Sequence, residues 1–358
     1  MIPPTPLKEE TPIREDGMNR HWSRLLAILL WAIATDATTA EDFYKGKQIK
    51  IISSSATTYA DYSRILAKYM PRYIPGEPTM IVQIMPGASG LTAANYLYSS
   101  APRDGTVIAG THGQIPTEPL LNPEGVHFDA NKFSWIGSVT RDTYIGYVWH
   151  TSPVQSLEET RTQELLVGGQ AVGSMSVDMP ILGRDFFGLK FKIITGYTGA
   201  TETKLALERG EIDGHLGTTW SDVKRSNADW LRDKKIKVIT QFGFEPHPEL
   251  PDVPLFIDLA RTPEDKQALE LMLARQETAK PYFGPPDIPA DRLAILRNAF
   301  DATVKDPDYQ AEMAANGLIS DRPMGWQEMT ALVASLQQTP PGIVDRLKAA
   351  FDKFRAGK

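Results

Sequence analysis

The chain has 358 residues, 42% of them hydrophobic and 23% charged, a balance that excludes intrinsic disorder and gives enough length for two packed domains. A formal net charge of −6, with no Lys/Arg cluster, speaks against nucleic acid and anionic membrane surfaces as partners and leaves a small molecule as the better expectation. Without cysteine there can be no disulfide, thiolate nucleophile or lipid-modified cysteine, so an exported form would depend on its core alone.

The first element in chain order is a segregated N-terminus. Met18 to Arg24 form a basic stretch, Leu25 to Ala34 an apolar run, and Ala37-Thr-Thr-Ala40 offers small residues at both positions that a signal peptidase reads. About ten apolar residues fall short of the roughly twenty that cross a bilayer. We therefore expect a cleaved secretory signal ending at Ala40, with Met18 as the start, residues 1–17 as an upstream extension and the mature protein in the periplasm. No later segment reads as a membrane span, so no direct membrane insertion is expected.

Strand-like and helical patterns then alternate, the mark of α/β architecture with largely parallel sheets. A strand at 48–53 leads into a helix whose Tyr59, Tyr62, Ile65, Leu66, Tyr69, Met70 and Tyr73 share one face, and Pro75-Gly76 stops it. Strands at 79–85 and 106–109 flank a helix at 89–98. Further strands are expected at 133–139, 144–149, 165–167, 191–195, 212–216 and 236–241, with helices at 176–187, 200–209 and from about 219. Pro246, Pro248, Pro251 and Pro254 mark an extended connection, followed by helices at 264–276, 290–304, 307–316, 325–337 and 341–355. The chain is expected to cross between two lobes near 140–150 and 242–256.

Four strand-to-helix junctions carry loops of small residues: Ser53 to Thr58, Pro86 to Gly90, Gly168 to Ser176 and Gly196 to Thr201. Each lets backbone N–H groups approach a ligand, and each opens a helix whose first N–H groups lack internal partners. Taken singly, turn and capping chemistry explains any of them, with Thr58 and Ser176 as good N-caps. Taken together, at the carboxyl ends of strands, they point to an anion held by backbone amides and hydroxyls rather than by Arg or Lys.

Catalysis finds little support. The six histidines, 21, 112, 127, 150, 215 and 247, show no metal-motif spacing, so neither a metal nor a cofactor is expected. Pro86-Gly-Ala-Ser-Gly90 lacks the spacing of a nucleophile elbow, and there is no Walker or dinucleotide fingerprint. His112 reads as a capping or core group more readily than as a cleft residue.

At these loops the sequence resembles the extracytoplasmic solute-binding proteins of tripartite tricarboxylate transporters, the Bug family. The resemblance covers nearly all of the mature chain, from FYKGKQIKIISSS at 43–55 to the C-terminal helices. Its most specific parts are MPGASGLTAANYLYSSAPRDGTVIAG at 85–110, VGGQAVGSMSVDMPILGRDFFGLKFKIITGYTGATETKLALERGEIDG at 167–214 and LPDVPLF at 250–256. It implies a type II periplasmic binding fold, two α/β lobes with crossing strands and a ligand cleft between them: lobe one from 41–143 plus 250–358, lobe two from 144–249. It further implies a monomer that is not an enzyme, and that captures a small-molecule carboxylate for an integral-membrane permease.

The implied ligand contacts are Ser54, Ser55, Ala56, Thr57 and Thr58 in lobe one and Gln170, Gly173, Ser174, Met175 and Ser176 in lobe two, with Tyr197, Thr198, Gly199 and Thr218 as neighbours. Asp61 matches an acidic residue of the family's first helix and is assigned a capping role. The first loop departs from the family's Gly-rich pattern, so hydroxyl donors are expected to stand where open backbone is usual. An orphan receptor feeding a sensor kinase is the alternative reading, and a periplasmic hydrolase a third.

Overall fold

Two sheets organise the computed structural model, which describes residues 1, 43–56, 58–197 and 200–357. The expected signal segment, the start at Met18, the cut after Ala40, and Thr57, Thr198 and Gly199 lie outside the described residues. In the first sheet β1 (Gln48–Ser53) pairs in parallel with β2 (Thr79–Ile84) and β3 (Val107–Gly110). The side-chain alternation of a strand sends Ile49 and Ile51 to one face and Ile52 to the other. Helix α1 (Thr58–Tyr69) covers the first face with Tyr62, Ile65, Leu66 and Tyr69, the stripe read from the sequence. On the other face lie Ala93, Ala94 and Leu97 of α2 (Leu91–Ser99). Next come a short helix, α3 (Glu118–Leu121), and β4 (Ser134–Ser138).

The second sheet runs in the order β7, β6, β8, β5, β9. Its strands are β5 (Tyr144–Trp149), β6 (Leu165–Gly169), β7 (Phe191–Thr195), β8 (Gly214–Thr219) and β9 (Ile236–Phe242). Strand β6 is parallel to β7 and β8, whereas β5 is antiparallel to β8 and β9. The connecting helices are α4 (Met175–Phe187), α5 (Ala200–Glu208), α6 (Trp220–Ser226) and α7 (Ala228–Arg232).

The predicted C-terminal helices form as α8 (Pro263–Glu277), α9 (Ala290–Thr303), α10 (Pro307–Ala315), α11 (Trp326–Gln337) and α12 (Pro341–Ala356). Two strands within this region were not expected: β10 (Pro281–Gly284) runs antiparallel between β3 and β4, and the two-residue β11 (Met324–Gly325) pairs with β4. The chain enters the second sheet through 139–143. The return does not come at 242–256. Phe256, Ile257 and the apolar residues of α8 stay in one core with Val148, Leu165, Val167 and Phe242, as do Ile343, Val344 and Leu347 of α12. The first sheet is regained only at β10, so the expected lobe one, 41–143 plus 250–358, cedes α8 and α12 to the core of the second sheet.

Candidate ligand-binding cleft

A cavity of about 320 Å³ opens where the carboxyl ends of β3, β6 and β8 meet the start of β5 and the segment 275–280. That is where ligands sit in open α/β sheets, and the volume suits a small molecule.

The second sheet contributes the junction of β6 and α4. Ser174 occupies the N-cap position of α4 with extended backbone (φ −94°, ψ 145°), but its hydroxyl does not cap; it donates to Ala171 O at 2.6 Å. Ser176, the expected cap, instead accepts a hydrogen bond from the Gln170 N–H at 3.2 Å, and the Asp178 carboxylate accepts from the Gly173 N–H at 2.8 Å. The loop is thus tied down by its own side chains. The N–H groups of Met175 and Ser176 have no backbone acceptor among the described residues, and both residues line the cavity. Free donors at the positive end of a thirteen-residue helix make this wall attractive to an anion.

Gly217 explains how the strand comes this close. The β5–β8 register shifts there, Ile145 pairing with Thr218 and Gly146 with Leu216, and Gly217 takes φ +107°, the bulge conformation that favours glycine. A Cβ on it would lie 2.6 Å from the Ser176 nitrogen. Thr218, just beyond the bulge, lines the cavity.

His215 forms part of this wall, nearly buried, its Nδ1 2.9 Å from Gly168 O. A carbonyl can only accept, so Nδ1 carries the proton and Nε2 is left as an acceptor. Burial pulls the imidazole pKa down to about 4, and the ring is neutral at pH 7.

The opposite wall is built from side chains. His112 lines the cavity rather than sitting in the core, its Nδ1 3.0 Å from the buried Ser54 Oγ and its ring tilted against Tyr59 with centroids 4.1 Å apart. Burial and the nearby Lys280 both hold its pKa below the ordinary value. The first loop therefore acts from behind: Ser54 is spent on His112 and Ser53 on the Ser55 carbonyl. Of the expected contacts, Gln170, Gly173, Ser174, Met175, Ser176 and Thr218 meet at the cavity, whereas Ser54, Ser55, Ala56, Thr58 and Tyr197 do not reach its wall. Asp61, assigned as a cap, pairs instead with Arg64 on the exposed side of α1, at 2.6 Å.

Two cations that were not expected also line the cavity. Lys280, just before β10, pairs with Asp142 at 3.3 Å and lies over the rings of Tyr59 and Tyr62, 4.8 and 5.5 Å from their centroids. Burial works against its charge, but Asp142 and the Tyr62 and Tyr144 phenols outweigh this and hold the pKa above the usual lysine value. Arg275, near the end of α8, donates to Gly173 O at 3.2 Å and pairs with Asp178 at 3.3 Å, fastening α8 to the loop that opens α4. Burial pushes the Asp178 carboxyl up and Arg275 opposes the rise. Among the described residues no group of His, Asp and Glu is arranged to hold a metal ion, and no helix is long and apolar enough to cross a membrane.

Two α/β lobes with a ligand-sized cleft between them define the type II periplasmic binding protein fold. No family model and no curated protein matches the sequence, but solved structures do. A TctC solute-binding protein from Polaromonas, solved without ligand, superposes with a TM-score of 0.66 at 17% identity, covering 85% of this chain and 99% of that one. The periplasmic binding protein BugD gives 0.54 at 18% identity, covering 86% and 98%. The R. palustris protein Rpa4515, solved with adipate, gives 0.55 at 17% identity, covering 85% and 97%.

Proposed function

We propose that this protein is a periplasmic solute receptor that captures a small organic acid in the cleft and delivers it, as a monomer, to an integral-membrane permease of the tripartite tricarboxylate type. The observation that carries this reading is the open end of α4: among the described residues the N–H groups of Met175 and Ser176 have no backbone acceptor, and both residues line a cavity of ligand size. Those two donors and the helix dipole favour a carboxylate without calling on a dedicated side-chain cation. Fold likeness to TctC and to BugD supports a solute-binding role, and likeness to a protein solved with adipate supports a carboxylate as the ligand. Binding, rather than turnover, is the reading we favour: the Ser–His contact seen among the described residues joins His112, on the cavity wall, to Ser54, whose buried hydroxyl does not reach the cavity where a nucleophile must stand. The signal-like N-terminus is the support for a periplasmic location.

The test is thermal unfolding of the protein, stripped of bound metabolite by unfolding and refolding, against mono-, di- and tricarboxylates and amino acids. A ligand at about 100 times its Kd adds roughly 2.7 kcal/mol, which raises Tm by several degrees. A carboxylate hit is the expected outcome. Silence across all acids, with a shift for neutral solutes, would overturn it.

A further inference from the structure

Three observations bear on which acid the cleft accepts, and they rest on the receptor reading above. The first is the charge already inside it. The cavity wall carries two cations, Lys280 and Arg275, and each is spent on a carboxylate, Asp142 and Asp178 respectively. Both histidines of the wall favour the neutral form. Glu118, buried on α3, adds a further carboxyl within the field of Arg275. What remains for an incoming anion is the end of α4, worth about half an elementary charge.

The second observation is that the Lys280–Asp142 pair is fixed. Its two residues lie on the two segments that cross between the sheets, and these are bonded to one another: Asp142 N–H donates to Gln276 O at 3.1 Å, Val139 N–H to Lys280 O at 3.2 Å, and Lys280 N–H to Ser138 Oγ at 3.1 Å. The Lys280 ammonium is held between the Tyr59 and Tyr62 rings, and only 11% of its side chain and 16% of the Asp142 side chain are exposed. Neither group can swing out into water without breaking this packing.

The third is that Asp142 lines the cavity itself. An ion pair displayed side by side offers a ligand one donor and one acceptor. It suits a group that both accepts and donates, such as an amide, a hydroxyl or the ammonium of an amino acid. A second carboxylate has only acceptors, and it would meet the Asp142 carboxylate in a site of low dielectric.

From this we propose that Asp142 is a specificity-determining residue that makes the cleft a receptor for acids with one carboxylate and a neutral or dipolar far end, and selects against dicarboxylates. The carboxylate is held at α4, and the far end bridges Lys280 and Asp142.

The experiment is titration calorimetry at pH 7.5 with matched pairs differing in one atom group: succinate and its monoamide, glutarate and its monoamide, adipate and its monoamide. Simple monocarboxylates of the same lengths serve as reference. The series of lengths covers the unknown span between the two ends. For the wild type, at least one half-amide should bind ten-fold or more tightly than its dicarboxylate. In Asp142→Asn, which keeps shape and removes the negative charge, the preference should reverse, because Lys280 is then free for the second carboxylate. Asp142→Asn/Lys280→Gln, which removes both charges, guards against a misfolded single variant and should abolish discrimination in either direction. Dicarboxylates that bind the wild type as tightly as their half-amides would overturn the proposal, as would monocarboxylates that bind while no half-amide gains over its partner. Failure of every carboxylate would overturn the receptor reading itself.

Discussion

From the second sheet the cleft receives the open start of α4, at Met175 and Ser176, and the bulge at Gly217, together with Gln170, His215 and Thr218. From the first sheet and the crossing segments it receives side chains, namely Tyr59, His112, Asp142 and Lys280. The difference assigns different tasks to the two walls. Backbone donors at a helix end recognise a carboxylate and are indifferent to what carries it. An ion pair framed by rings can distinguish one remainder from another, because its groups have fixed charge and position.

Gly217 is where the main-chain wall is most easily broken. Gly217→Val places a β-branched residue at φ +107° with its Cβ against the Ser176 nitrogen. We expect carboxylate binding to fall below detection in calorimetry, together with a loss of roughly 1–3 kcal/mol of stability in urea unfolding. Unchanged affinity would move the anion site away from α4.

Lys280→Met attacks the other wall. It leaves the Asp142 carboxylate without its cation in a nearly enclosed site, and roughly 3 kcal/mol of stability should be lost. Lys280→Met/Asp142→Leu should recover most of that, because two apolar groups leave nothing unpaired. A double variant no more stable than the single one would show that the pair is not the cause.

The third effect is on pH dependence. With its folded pKa depressed from 6.5 to about 4, His215 stays neutral in the folded protein while the unfolded chain takes up a proton. Its contribution is therefore complete above pH 6.5 and is lost as pH falls towards 4, a difference on the order of 3 kcal/mol. The burial of His112 and His247 acts in the same direction. Urea midpoints of His215→Gln should fall less steeply between pH 6.5 and 4 than those of the wild type; parallel curves would contradict the assignment.

The same contrast explains what the sequence could show. The β6–α4 wall was legible because its parts are contiguous: Gly-rich strand end, hydroxyls and helix start all lie between 168 and 187, and five of the expected contacts in this stretch meet at the cavity. Thr218 was legible for the same reason, at the end of a strand. The other wall is assembled from residues 59, 112, 142 and 280, which no local period connects. Lys280 was missed because β10 was missed: four residues, Pro281-Tyr-Phe-Gly284, between two long helices read as a linker in a helical region. The Lys280-Pro281 step and the Gly284-Pro285 stop were the available signal. The Ser/Thr-rich first loop misled in the opposite way. Its hydroxyls looked like ligand donors, but a buried hydroxyl must find a partner inside the protein, and Ser54 finds His112. The crossing at 242–256 failed for want of a signal too: Phe256 and α8 are as apolar as any return segment, and only packing shows that they complete the second core.

The most direct test of this account is a crystal structure of the protein with the tightest-binding acid of the calorimetric series. Carboxylate oxygens are expected about 3 Å from the backbone nitrogens of Met175 and Ser176, with the far end of the ligand against Asp142 and Lys280. A carboxylate seated on Lys280, with the end of α4 facing only water, would contradict it.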